Sequence, residues 1–345
     1  MFNLDCNQMN ILIWTYHRVL PKASSAAVSA DEFERQIAYL AESGYKSIGP
    51  AELELFFNGK LPLYDKYTML TFDDGWADNL IWATPILKRY SAKAVLALNT
   101  GLMNKEGRTI RKDGNYEIID SKKALEESVY GKSSRSFLNW NEILDMKNSG
   151  LWEFQAHGNS HFGCYSKFGR IKGFFPEKPH WTMEYALGEP PFPGAPKVSF
   201  GSTLADKRTV MGSDLKDSLK KASGDAEWTR LCQAHPAPVE ILETDEEFET
   251  RVETDLTECK KTILETLGVE TSSLFWPWGQ SSDASVRIAK KCGFKMLFTM
   301  EKDIVNRKTS PDSIPRIAAP ANFADFKRQM TIYSNSIFRR IKKFF

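Results

Sequence analysis

"MLTFDDGWADN", residues 69–79, runs from an apolar, β-prone stretch straight into two adjacent carboxylates and a glycine. Two neighbouring acids repel, so Asp73 and Asp74 need a cation, a solvated turn or a chemical task to account for them. Read outward, "YTMLTF" (67–72) is one of a series of short apolar runs: "NILIWTY" (10–16), "YKSI" (45–48), "AKAVLAL" (92–98), "LWEFQAH" (151–157), "SLFWPWG" (273–279) and "FKMLFTM" (294–300). Helical patterns lie between them. Residues 29–44 have Ser29 as N-cap and Gly44 as stop, residues 244–268 have Thr244 as cap with Glu247 three residues on, and 49–59, 76–90, 136–150 and 282–293 follow the same period. About seven alternating strand and helix units predict an α/β chain, and favour a distorted (β/α)7 barrel over an open sheet.

The composition narrows the class. A chain of 345 residues that is 42% hydrophobic can bury one large core. The formal net charge of +2, from acids and bases spread along the chain, argues against a dedicated nucleic-acid surface. Cys6, Cys164, Cys232, Cys259 and Cys292 are far apart and form no C-x-x-C, so neither a disulfide framework nor a cysteine zinc site is expected. No run approaches the roughly 18 apolar residues of a membrane span, and the first residues lack a basic segment followed by a long apolar one; the expected location is cytoplasmic.

The predicted barrel covers residues 1–330 and is interrupted at 162–240 by an aperiodic insertion rich in Gly, Pro, Ser and aromatics. Such an insertion is a lid or specificity region, a segment packed on the barrel, or a dimer contact. Residues 331–345 combine Ile332, Ile337, Phe338, Ile341, Phe344 and Phe345 with Arg339, Arg340, Lys342 and Lys343. This basic amphipathic tail suits an anionic membrane surface, or equally a last helix with a frayed basic end.

In a (β/α) barrel, functional side chains sit where strands run into loops at the C-terminal face. Tyr16-His17-Arg18 ends the first strand, Asp73-Asp74-Gly75 the third, His157 to His161 the fifth, and Trp276-Pro277-Trp278-Gly279 the next. In a helical turn, two histidines four apart present both imidazoles on one face, within reach of one ion. With one carboxylate of the Asp pair they make a His₂Asp set whose open fourth position is that of a catalytic zinc site. A lone histidine pair is a common coincidence and a lone D-D-G a common turn; their joint occurrence at strand ends of one barrel carries the argument.

These residues also carry a resemblance. "TFDDG" followed by "HGNSH" resembles the first two motifs, TFDDG and H-[S/T]-x-x-H, of the polysaccharide deacetylases (carbohydrate esterase family 4, the NodB homology domain). "FWPWG", the opening "YHRVLP" and the spacing from Phe33 to Tyr45 are similar to the branch that includes the poly-N-acetylglucosamine deacetylases. The resemblance implies hydrolysis of N-acetyl groups on amino sugars with one divalent metal: zinc, with cobalt, nickel or iron as alternatives. It assigns Asp74, His157 and His161 to the metal and Asp73 to the general base. The oxyanion donor falls just after Pro277, at Trp278, within the turn Trp276 to Gly279; as an alternative, the indoles only pack or stack on sugar faces.

The sequence also departs from the pattern. The arginine usual two residues before the third-motif proline is Phe275, and Arg316, in "SIPRIAAP" at the end of a late strand, is the candidate replacement unless it is an ordinary surface arginine. Gly158 stands where Ser or Thr is usual, which loosens the support of that loop. The late Leu-x-His that supplies a general acid is absent, since no histidine follows His235. His17 is the best-placed remaining histidine, as acid or as substrate-orienting group; His180 and His235 lie in or beside the insertion. The expected function is cytoplasmic N-deacetylation in assembly of a surface glycan such as O-antigen, capsule or lipopolysaccharide, on a sugar, a glycan or a lipid-linked intermediate. The rivals are a glycan-binding protein that has lost turnover and a small-molecule amidohydrolase.

Overall fold

The apolar runs are unbroken because they form parallel strands covered on both faces. The computed structural model describes residues 10–23, 27–62, 66–105, 117, 123, 135–165, 171–175, 192–197, 200–235 and 239–334. The sheet strands are β1 (Leu12–Tyr16), β2 (Tyr45–Ser47), β3 (Lys66–Asp74), β4 (Ala94–Leu98), β5 (Trp152–Ala156), β6 (Ser273–Phe275), β7 (Met296–Phe298) and β8 (Ile317–Ala318). All pair in parallel in the order β7-β6-β5-β4-β3-β1-β8, with β2 also on β3. The segment entering β8 joins the two ends of the curled sheet. Ile314 N–H donates to Leu297 O at 2.8 Å and Thr299 N–H to Ile314 O at 2.9 Å, while Ile317 registers with Trp14 on β1. This is the distorted (β/α) barrel that the strand and helix rhythm predicts.

Strand alternation divides the core into two layers. Ile13, Met69, Val95, Ala97, Phe275 and Phe298 belong to an inner cluster; Trp14, Leu70, Phe72, Leu96, Leu98 and Phe154 belong to an outer one shared with the helices. The helices are α1 (Ala30–Glu42), α2 (Pro50–Phe57), α3 (Thr84–Arg89), α4 (Trp140–Asn148), α5 (Ser213–Lys221), α6 (Asp225–Ala234), α7 (Asp245–Leu267), α8 (Asp283–Lys291) and α9 (Phe323–Ser334). The expected caps form: Ser29 accepts from Glu32 N–H, and Thr244 and Glu247 make a reciprocal capping box. Leu53 and Phe56 of α2 join the inner cluster, and Phe326 of α9 covers Trp14 with ring centroids 4.5 Å apart. Among the described residues no helix is long and apolar enough to cross a membrane. Of the expected tail 331–345, residues 331–334 are the end of α9 and 335–345 lie outside the described residues.

The insertion is more regular than its sequence suggests. Gly163–Tyr165 pairs antiparallel with Phe200–Ser202 and Thr209–Met211 with Val239–Ile241. Met211, with Leu215 and Leu219 of α5 and Cys232 of α6, closes a small separate core with Phe175 and Ala195. At the root of the insertion, Glu243 Oε1 accepts from Nε of Arg208 and of Arg251 at 2.6 Å each, and Oε2 accepts from Arg208 N–H and Arg251 Nη2 at 2.9 Å each. Burial alone would raise the Glu243 carboxyl; the bonds from Arg251 and Arg208 outweigh it and hold the group at about 2. Because the folded value lies below the unfolded one of roughly 4.3, the stabilisation is present above that pH and is lost as pH falls toward about 2. Glu243→Gln is therefore expected to lower the unfolding free energy near neutrality by about 1–3 kcal/mol, with the gap to wild type closing on acidification, in denaturant titrations at stepped pH. A gap independent of pH would sink this account.

Candidate active site

Strand alternation turns Met69, Thr71 and Asp73 of β3 toward the inside of the barrel, where Asp73 meets Arg316. The guanidinium grips the carboxylate with both arms, Nη1 to Oδ1 at 2.7 Å and Nη2 to Oδ2 at 2.9 Å. Arg316 also donates from Nε to Thr299 O and from Nη1 to Thr71 Oγ1, both at 3.2 Å, and lies 4.8 Å from the ring centre of Phe275. So the position that carries Phe instead of the family's arginine supports the arginine that stands in. Arg316 is fully buried, not a surface residue, and it precedes β8 instead of ending a strand, because it must reach inward between Ile314 and Ile317. Burial pushes the Asp73 carboxyl up, but Arg316, then His157 and His17, outweigh it and hold it below the ordinary carboxylate range.

Asp74 ends the alternation. Its φ of 76° is in the left-handed region, which costs a non-glycine residue about 1–3 kcal/mol and marks a functional constraint. Trp76 Nε1 donates to Asp74 Oδ2 at 2.9 Å, leaving Oδ1 facing two imidazoles: His157 Nε2 at 3.4 Å and His161 Nε2 at 3.5 Å. Trp76 is itself fixed, stacked on Phe137 at 4.3 Å between centroids, with the Arg18 guanidinium 4.5 Å above its ring and Arg18 paired to Asp78 at 2.7 Å. In the sequence, the one signal of this role is a tryptophan two residues beyond Asp74.

The histidines converge by a different route from the one their spacing suggests. Residues 157–161 form no helical turn. Gly158 turns the chain at φ 81°, which favours glycine, and a Cβ there would be tight against Leu204 Cδ1 at 3.0 Å and Asp255 Oδ1 at 3.1 Å. His157 Nδ1 lies 2.8 Å from Phe275 O; that acceptor keeps the proton on Nδ1 and leaves the Nε2 lone pair for the cluster. Asp255, on α7, supports the loop that Gly158 was expected to loosen, accepting from Asn159 N–H, Ser160 N–H and Ser160 Oγ.

Asp74, His157 and His161 each offer an atom within 4.8 Å of the others'. The 3.4 and 3.5 Å spacings are close to the roughly 3.4 Å expected between neighbouring ligands of a tetrahedral ion with bonds of about 2.0–2.1 Å. Asp74 Oδ1 and His157 Nε2 are buried with no hydrogen-bond partner, the condition of donors that await an ion. The two carboxylates make the cluster attractive to positive charge: burial works against a charged His157, but Asp73 and Asp74 outweigh it and lift it above the ordinary histidine range, so a proton competes with an ion at Nε2. Burial takes His161 down to about 4, so its imidazole is neutral and ligand-ready at neutral pH. The donor set therefore fits a divalent cation of the zinc type.

The remaining predicted residues divide. His17 is exposed beyond the end of β1, with its charge felt by Asp73, Asp74 and His161. Trp278 is 36% exposed, holds φ 62°, and its ring centre lies 5.4 Å from that of His161. Trp276 and Pro277 are buried, Trp276 in the outer core cluster, so Trp276 offers no face to a sugar. Gly279 has φ 68°, and a Cβ there would come within 2.4 Å of Met300 Cβ, which explains why the turn closes on glycine. His235 follows α6 within the insertion, and His180 lies outside the described residues.

The family model described as polysaccharide deacetylase matches residues 60–183, the stretch that holds Asp73, Asp74, His157 and His161. The chain is similar to that family and to its poly-N-acetylglucosamine deacetylase-like branch. It is 21% identical over 313 residues to a poly-beta-1,6-N-acetyl-D-glucosamine N-deacetylase of Escherichia coli O157:H7, covering 89% of this chain but 36% of that relative, so it spans about a third of the relative's length. The fold is that of a de-N-acetylase from Aggregatibacter actinomycetemcomitans (TM-score 0.62, 18% identity, 93% of this chain and 99% of that one). It is also that of IcaB from Ammonifex degensii (TM-score 0.58, 18% identity, 95% and 98%).

Proposed function

We propose that this chain is a metal-dependent N-deacetylase that hydrolyses the acetamide of an N-acetylated amino sugar. The observation that carries the reading is the convergence of Asp74, His157 and His161 beside an aspartate that binds no ligand of its own except Arg316 and is held ionised by it. A divalent ion held by those three residues would polarise the acetamide carbonyl and acidify the attacking water. The chain's own part is acid–base chemistry and positioning. Asp73 takes the proton of the attacking water on a carboxylate oxygen, and the two-armed grip of Arg316 keeps that carboxylate charged and aimed. Trp278, in its left-handed turn, presents the backbone N–H for the developing oxyanion and its exposed ring as one wall of the mouth. His17, exposed at the same face, protonates the departing amine.

The substrate we infer is a β-linked N-acetylglucosamine polymer or a lipid-linked precursor of a surface glycan, handled in the cytoplasm. The named activity of the Escherichia coli relative supports the sugar, and the basic amphipathic character of 331–345 supports a lipid carrier at a membrane surface. The test begins with the metal. Protein purified without added metal is expected to hold about one divalent ion per chain by elemental analysis, and His161→Ala to hold far less, because three protein ligands are the minimum for a catalytic site. The wild type should then release acetate from N-acetylglucosamine oligomers. Sugar binding without acetate release, metal being present, would move the non-catalytic glycan-binding reading to the front.

A further inference from the structure

Residues 157–161 have no regular secondary structure, yet two imidazoles must leave them at a fixed separation. One side of the loop is pinned to the end of β4: Thr100 N–H donates to Gly158 O at 3.2 Å, Gly101 N–H to Asn159 O at 3.0 Å, and Thr100 Oγ1 to Asn159 Oδ1 at 2.8 Å. The other side rests on one carboxylate. Asp255 Oδ1 accepts from Asn159 N–H at 2.8 Å, and Oδ2 accepts from Ser160 N–H at 2.9 Å and from Ser160 Oγ at 2.6 Å. A carboxylate that receives two consecutive backbone N–H groups and a hydroxyl fixes the path of the chain between the histidines, as an Asx-type cap fixes a helix start.

Two further contacts tie this brace to the rest of the site. Gly158 has no side chain to make such bonds, and Asp255 Oδ1 lies 3.1 Å from where its Cβ would be. Arg251, one helical turn before Asp255 on α7, donates to Thr203 O at 2.8 Å and to Glu243, and the neighbouring Leu204 packs against Gly158. One face of α7 therefore holds both the metal loop and the root of the insertion.

We propose that Asp255 is the positioning residue of the metal loop, and that it sets the His157–His161 geometry before any ion binds. The inference rests on the metal-dependent reading above, and concerns how the donors are preorganised, not which they are. An ion meeting preformed donors spends no binding energy on ordering the loop, so loss of the brace should appear as weaker and geometrically altered metal binding.

The experiment is a cobalt(II) titration of metal-free wild type, Asp255→Asn and Ser160→Ala, followed by visible absorption well below the unfolding midpoint of each. Asparagine keeps the volume but turns an NH₂ toward one of the donors. Asp255→Asn is expected to bind cobalt about 10–100-fold more weakly, the usual cost of losing an outer-shell partner, with a changed band shape at saturation. Ser160→Ala, which removes one of the three bonds, is expected to lose about two- to fivefold. Cobalt affinity within about twofold of wild type and an identical spectrum in Asp255→Asn would overturn the inference. Should that variant not fold, an unchanged affinity and spectrum in Ser160→Ala overturns it instead. Wild type that binds no cobalt would remove the metal-dependent reading and this inference together, whereas wild-type binding with undisturbed variants removes this inference alone.

Discussion

Replacing Arg316 by methionine is expected to lower the unfolding free energy of the metal-free protein by about 3–5 kcal/mol, the cost of breaking a buried ion pair from one side. The Arg316 side chain is 0% exposed and that of Asp73 4%, so the carboxylate left behind is a largely desolvated charge. Thr299 O and Thr71 Oγ1 lose a donor at the same time. Most of the cost belongs to the stranded charge, which gives the prediction a second arm: Asp73→Asn combined with Arg316→Met should be more stable than Arg316→Met alone. Denaturant titrations of the two single variants and the double variant read this as a coupling energy. A double variant no more stable than the single one would mean that the two groups do not depend on each other.

Asp73→Asn alone is expected to reduce acetate release by about 10²–10⁴-fold, the usual contribution of a general base, while leaving metal content unchanged. Both Asp73 oxygens are taken by Arg316, and the cluster that fits an ion is built from Asp74, His157 and His161. The two aspartates should therefore separate: the Asp73 variant keeps the ion and loses turnover. Metal loss in Asp73→Asn would show that the division of labour between the neighbours is drawn wrongly.

Much of this was legible in the sequence, for reasons that differ from residue to residue. The strands could be read because burial on both faces makes β3 and β4 continuous apolar runs, and the caps because Ser29 and Thr244 act within three residues of themselves. Asp74, His157 and His161 stand out in the sequence through their chemistry and position at strand ends, and the structure brings them together, although the spacing of the histidines suggests a helix where Gly158 makes a turn. What stayed hidden depends on distant contacts. Asp255 is an ordinary helix acid until α7 lies against a loop 95 residues earlier, and Trp276 reads like Trp278 until the first is buried and the second exposed. The regularity of the insertion was partly available, since Leu215 and Leu219 stand one turn apart in "SDLKDSLKK", but the surrounding glycines and prolines masked it.

The placement of Arg316 on the segment that joins the ends of the sheet has a consequence for the order in which the protein becomes competent. A chain emerging from the ribosome carries Asp74, His157 and His161 by residue 161, but Asp255 and the Phe275 carbonyl, which hold the two histidines, come later, and Arg316 comes last, with the approach to β8. On the proposed reading the ion site is therefore complete in the chain before the clamp on Asp73 is. On the proposed reading, loss of the Arg316 guanidinium, far along the chain from any motif, should disable Asp73 while Asp74, His157 and His161 keep their places.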